Sequence, residues 1–100
     1  MLFMTIYTWE PSKRNEIIKR RLEIGRGLPK ESKVIGEWSD VSGGRGFMLS
    51  EGEDLKTMMA AVLVWSDLMK FEIIPVMEME EVLKLARKAS PHLPGVDTKL

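Results

Sequence analysis

Five side chains suggest chemistry before any element is assigned. Tyr7, Trp9, Glu37, Arg45 and Phe47 sit in stretches where apolar and polar residues alternate, and a strand turns every second side chain to the same face. That alternation, with the expected hairpin register, predicts all five on one face of a sheet. Arg45 would there offer a rigid fork of donors and Glu37 an acceptor, between aromatic walls suited to a flat or acidic small molecule. A plainer account of the same residues is an interfacial Glu37–Arg45 ion pair among packing side chains. If a reaction occurs, Tyr7, Glu37, Arg45 and Asp67 are the groups able to act as acid, base or electrostatic stabiliser. The sequence singles out no catalytic residue among them.

Other charged groups have simpler explanations. Arg21 falls within the apolar arc formed by Ile17, Ile18, Leu22 and Ile24 on a helix of 100° per residue. It either reaches a ligand carboxylate or packs its stem and extends its head to water. Glu78, Glu80 and Glu81 crowd one helical turn, where they complement the helix dipole and point in different directions, so no metal site is expected. Lys19, Arg20 and Arg21 are flanked by Glu16 and Glu23, the pattern of a solvated face. Met58, Met59, Met69 and Met79 recur at helical spacing and are read as core. His92 stands between Pro91 and Leu93 with no ligand or nucleophile nearby in sequence.

Composition limits the partners. Fifteen basic and fifteen acidic residues cancel, so no long-range field draws in nucleic acid or an anionic membrane, and neither partner is expected. With no cysteine there are no disulfides or thiolate zinc sites, which suits a cytoplasmic protein held together by packing. The apolar opening lacks a basic flank and a small-residue cleavage site, and is read as mature structure. Residues 57–66, the longest stretch without charge, cover about half of the ~20 residues that span a bilayer. No cofactor is implied by any motif.

These groups must be positioned by a small set of elements. Residues 2–9 alternate and read as a strand. Pro11 and Ser12 open a helix that Gly25 stops. Residues 33–38 and 45–51 are extended runs around the Asp40-Val41-Ser42-Gly43-Gly44 loop, a hairpin. Asp54 caps a very apolar helix reaching about residue 67. Residues 71–77 form a fourth strand, and Pro75 confines it to a sheet edge. Met79, Val82, Leu83 and Ala86 mark a final helix ended by Pro91. Residues 1–89 thus form one α+β domain of βαββαβ order plus a C-terminal helix, followed by a loose tail at 90–100.

That order fits a ferredoxin-like sandwich with an antiparallel sheet of order 4-1-3-2 and both crossing helices on one face. Phe3, Tyr7, Trp9, Phe47 and Leu49 are then expected on the other face, an apolar patch of about 400–600 Å². Stacking two such sheets into a homodimer would cover it; the alternative is the final helix folding over its own subunit.

The runs Tyr7-Thr8-Trp9-Glu10-Pro11, Gly36-Glu37-Trp38, Gly44-Arg45-Gly46-Phe47 and residues 65–76 (WSDLMKFEIIPV) resemble a small prokaryotic domain-of-unknown-function family. That family is similar to the dimeric α+β-barrel group, in which two ferredoxin-like subunits stack their sheets. The resemblance implies a homodimer. The group includes cofactor-independent monooxygenases, isomerases, haem-degrading enzymes and ligand-sensing domains, so it selects no single activity. Haem-degrading members hold iron through a histidine, and His92 in the tail is a poor match. The resulting expectation is a homodimeric binder of a small organic ligand, with or without chemistry on it. The alternative is a structural or regulatory dimer. RNA recognition through Leu2-Phe3-Met4 and Arg45-Gly46-Phe47 is the weakest reading, since Met48 and Leu49 depart from that motif.

Overall fold

In a computed structural model, residues 1–52 and 54–89 are described; the expected tail at 90–100, with His92, lies outside them. The chain runs β1 (Leu2–Thr8), a 3-10 turn (Pro11–Lys13), α1 (Arg14–Ile24), β2 (Lys33–Ser39), β3 (Arg45–Glu51), α2 (Leu55–Trp65), β4 (Lys70–Val76) and α3 (Met79–Ala89). Pro11 opens the 3-10 turn, where its fixed φ is an asset. Gly25 closes α1 at φ 70°, a conformation that side-chain-bearing residues rarely adopt. Asp54 caps α2 by accepting the Lys56 N–H at 2.9 Å. No helix among the described residues is long and apolar enough to cross a membrane.

The four strands form one antiparallel sheet ordered β2-β3-β1-β4, a ferredoxin-like arrangement. β4 is an edge strand, so the N–H that Pro75 lacks is not missed. In the β2–β3 loop Asp40 accepts from the Ser42 N–H and hydroxyl at 2.9 and 2.6 Å, with Gly43 and Gly44 both at positive φ.

Register corrects the expected division of the two faces. Phe3, Thr5 and Tyr7 of β1 lie opposite Ser50, Met48 and Gly46 of β3, and opposite Pro75, Ile73 and Phe71 of β4. This set faces the helices. Leu2, Met4, Ile6 and Thr8 instead share their face with Glu51, Leu49, Phe47 and Arg45. Phe3 and Tyr7 are therefore on the opposite side of the sheet from Phe47 and Leu49. Alternation sorted each strand correctly, but the sets were joined one residue out of phase across both the β1–β3 and the β2–β3 ladders, since Glu37 pairs with Met48 and not with Phe47.

The core is thin. Among the described residues, Phe3, Trp65, Leu68 and Met69 are the buried apolar side chains, and none is completely removed from solvent. Leu55, Met59 and Leu63 on the outer side of α2 are exposed, so this very apolar helix is not covered all round among the described residues. Nor does α3 cover its own sheet: Met79, Val82, Leu83 and Leu85 are all exposed. Met69 is core, whereas Met59 and Met79 are not.

Candidate functional site

Between the helix-side face of the sheet and the helices lies a partly open chamber of about 280 Å³. Its existence follows from residue size. Thr5 and Ser50 are small residues on this face of the central strands, and Ala61 is the small residue on the facing side of α2 between Met58 and Trp65. The surrounding wall is apolar, with Phe3, Met48, Met58, Val62, Phe71 and Ile73 contributing. The volume is just below the ~300 Å³ lower bound for ligand pockets.

One part of the wall is polar and tightly bonded. The Tyr7 hydroxyl donates to Glu37 Oε2 at 2.5 Å. Arg21 donates through Nη1 to Oε2 at 2.9 Å and through Nη2 to Oε1 at 2.6 Å. Arg26 donates through Nε to Oε1 at 3.0 Å. Four hydrogen bonds match the acceptor capacity of an ionised carboxylate. The fork of Arg21 holds the Glu37 carboxyl down to about 2, with the Tyr7 and Arg26 bonds adding to the effect against the opposing cost of burial. Burial, followed by the bond to anionic Glu37, drives the Tyr7 hydroxyl far above the usual phenol range. Tyr7 is thus a fixed donor and Glu37 a fixed anion at neutral pH.

Local structure explains how each residue arrives there. A Cβ on Gly46 would enter the Tyr7 ring, so this glycine lets the ring lie across the sheet. Tyr7 also packs with Trp9 at 6.1 Å and with Phe71 at 6.2 Å between centroids. The turn at Gly25 and Gly27, both at positive φ, is fastened by Trp65 Nε1 donating to the Arg26 carbonyl at 2.8 Å. A Cβ on Gly27 would meet Val64 Cγ1 at 2.8 Å, which shows how closely the turn lies against α2. Arg20, on the next helical position, grips the end of α2: it pairs with both oxygens of Asp67 at 2.8 Å and donates to the Val64 carbonyl at 2.7 Å.

The five residues picked from sequence are divided by the sheet. Tyr7 and Glu37 meet on the helix side, and Trp9 joins them through Tyr7 and the Trp65 cluster. Arg45 and Phe47 lie on the opposite face. Arg45 does not pair with Glu37; it reaches Asp40 at 3.1 Å and stacks over Phe47 at 5.0 Å. Arg21 binds Glu37 instead of a ligand carboxylate or water, and Asp67 belongs to the Arg20 clamp. Arg26 escaped sequence reasoning, since nothing marks one arginine in a glycine-rich turn. Arg21 did carry a signal, a charge inside an apolar arc that required a partner.

The family described as a domain of unknown function, DUF3303, matches residues 1–90. A solved structure from Deinococcus radiodurans, described as a candidate antibiotic biosynthesis monooxygenase, is 13% identical, with 78% of this chain and 94% of that one covered and a TM-score of 0.46. Among curated proteins nothing matches.

Proposed function

We propose that this chain, which belongs to the DUF3303 family of domains of unknown function, is a homodimeric protein that binds a small apolar molecule between its sheet and helices. The chamber of about 280 Å³ carries this reading. Its wall combines apolar side chains with a few fixed polar groups, the usual make-up of a small-molecule site. Neither Tyr7 nor Glu37 changes protonation near neutrality, so these two groups favour binding over acid–base chemistry.

The sheet face turned away from the helix-side set, with Trp38 exposed among the described residues, supports the dimer. Trp38, Phe47, Ile6, Leu49, Met4 and Ile74 occupy its middle rows, while Lys33, Arg45, Glu51 and Lys70 stand at its ends and Glu72 on its β4 edge. An apolar centre with a charged rim is ordinary interface anatomy. Four strands of seven residues have a flat footprint of roughly 400 Å², about half of the ~800 Å² per partner in a standard interface. The exposed apolar stripe of α3 supplies further area, and a second copy is the occupant suited to both surfaces. This face also supports a second reading, a purely structural dimer.

Replacing Ala61 by Phe separates the two readings. The new ring should fill the chamber and abolish calorimetric binding of 1-octanol, a neutral probe, while light scattering still reports twice the chain mass. Absence of octanol binding in the unsubstituted protein would favour the structural dimer. A monomer at micromolar concentration would remove both dimeric readings.

A further inference from the structure

The charges around the chamber are not evenly spread. Arg21 and Arg26 share one carboxylate, Glu37, which leaves one positive charge over at that part of the wall. Arg21 commits both terminal nitrogens to Glu37. Arg26 commits only Nε, and among the described residues no hydrogen bond is made by its two terminal nitrogens. Both arginine side chains remain partly open to solvent, and both line the chamber. The Arg26 backbone is held by Trp65 between two positive-φ glycines, so its position does not depend on the Glu37 bond alone.

Acidic residues line the wall as well: Glu31 in the same connection as Arg26, Glu51 at the end of β3 and Asp54 at the start of α2. Glu37, which holds both arginines, is paired in the ladder with Met48, and three residues of strand put Glu51, whose register is that of the open face, about 10 Å further along. Glu51 is partnered by Lys33 at 3.2 Å, and Asp54 by the first turn of α2. Apolar Phe3, Met48, Met58 and Ile73 also line the chamber. The result is an apolar chamber in whose wall the terminal nitrogens of Arg26 are hydrogen-bond donors without a partner among the described residues.

We infer that the preferred occupant is a small apolar carboxylic acid, bound as its carboxylate to the free terminal nitrogens of Arg26, with its hydrocarbon body among Phe3, Met48, Met58 and Ile73. This rests on the chamber being a binding site and adds the head group and the orientation. A guanidinium fork suits a carboxylate because two parallel hydrogen bonds can form. Glu37 supports the contact without competing for it, since its own acceptor capacity is taken up by Tyr7, Arg21 and Arg26 Nε.

Calorimetric titration with octanoate, 1-octanol and octylamine at pH 7 tests the assignment. Octanoate should bind roughly tenfold more tightly than octanol, the gain from one charge-assisted contact, and octylamine should bind weakest. Arg26→Gln should remove the octanoate preference, bringing the ratio of octanoate to octanol affinity to about one. Arg26→Lys, which keeps the charge but not the fork, should retain part of the preference and guards against a folding defect in the first variant. Equal affinity for octanoate and octanol, or tightest binding of octylamine, would overturn the carboxylate while leaving the chamber as a site. Binding of none of the three would overturn the chamber reading and this inference with it.

Discussion

The two faces of one sheet place an aromatic ring over a glycine in opposite settings. On the helix side the Tyr7 ring crosses Gly46 and its hydroxyl is fastened to Glu37. On the open side the Trp38 ring crosses Gly36, yet Trp38 remains 54% exposed. The first ring is one of several groups converging on a carboxylate; the second belongs to an apolar surface that remains exposed among the described residues. The same local device thus builds an internal site on one face and an assembly surface on the other. What differs is the neighbour above the sheet.

The largest expected effect comes from charging the open face. Phe47→Asp should weaken the dimer a hundredfold or more, on the order of 3 kcal/mol, because a carboxylate would be placed at an interface centre beside an Arg45 already paired with Asp40. Sedimentation or light scattering over a dilution series reads the result. An unchanged dimer constant would remove this face from the assembly.

On the helix side, Glu37→Gln should cost about 2 kcal/mol at pH 7 in urea unfolding, after allowance for solvent screening. A carboxyl with a folded pKa of about 2, below its unfolded value near 4.5, stabilises the fold above the unfolded pKa and loses that contribution as pH falls through the folded one. The gap between the two proteins should therefore close between about pH 4.5 and 2. A gap independent of pH would mean that Glu37 acts through packing alone.

The two glycines sharpen the contrast further. Gly46→Ala should cost about 1–3 kcal/mol by overpacking, since Tyr7 cannot leave without breaking its bond to Glu37, and near-ultraviolet circular dichroism should register the displaced ring. Gly36→Ala, made in the monomeric Phe47→Asp background, should cost under about 1 kcal/mol because Trp38 can swing into water. Equal costs would show that both rings are equally pinned.

The sheet also shows where sequence reasoning stopped. Each strand's alternation was legible, and so were the hairpin at Gly43 and Gly44, the cap at Asp54 and the edge position forced by Pro75. Arg21 was conspicuous as a charge in an apolar arc, but its partner lay on β2, sixteen residues away. The Tyr7–Glu37 half of the expected site held together; the Arg45–Phe47 half fell on the opposite side of the sheet.

By itself the sequence determined the order and type of the elements, because turn residues, caps and hydrophobic period act over a few neighbouring positions. The tertiary structure alone decided which alternating set faced the helices. Period two defines two sets per strand and leaves open how those of one strand join those of the next. That choice depends on pairing Tyr7 with Gly46 and on the irregularity between Val34 and Gly36. It also depends on fitting the Tyr7 ring, the Arg21 fork and the Arg26 turn around a single carboxylate, Glu37.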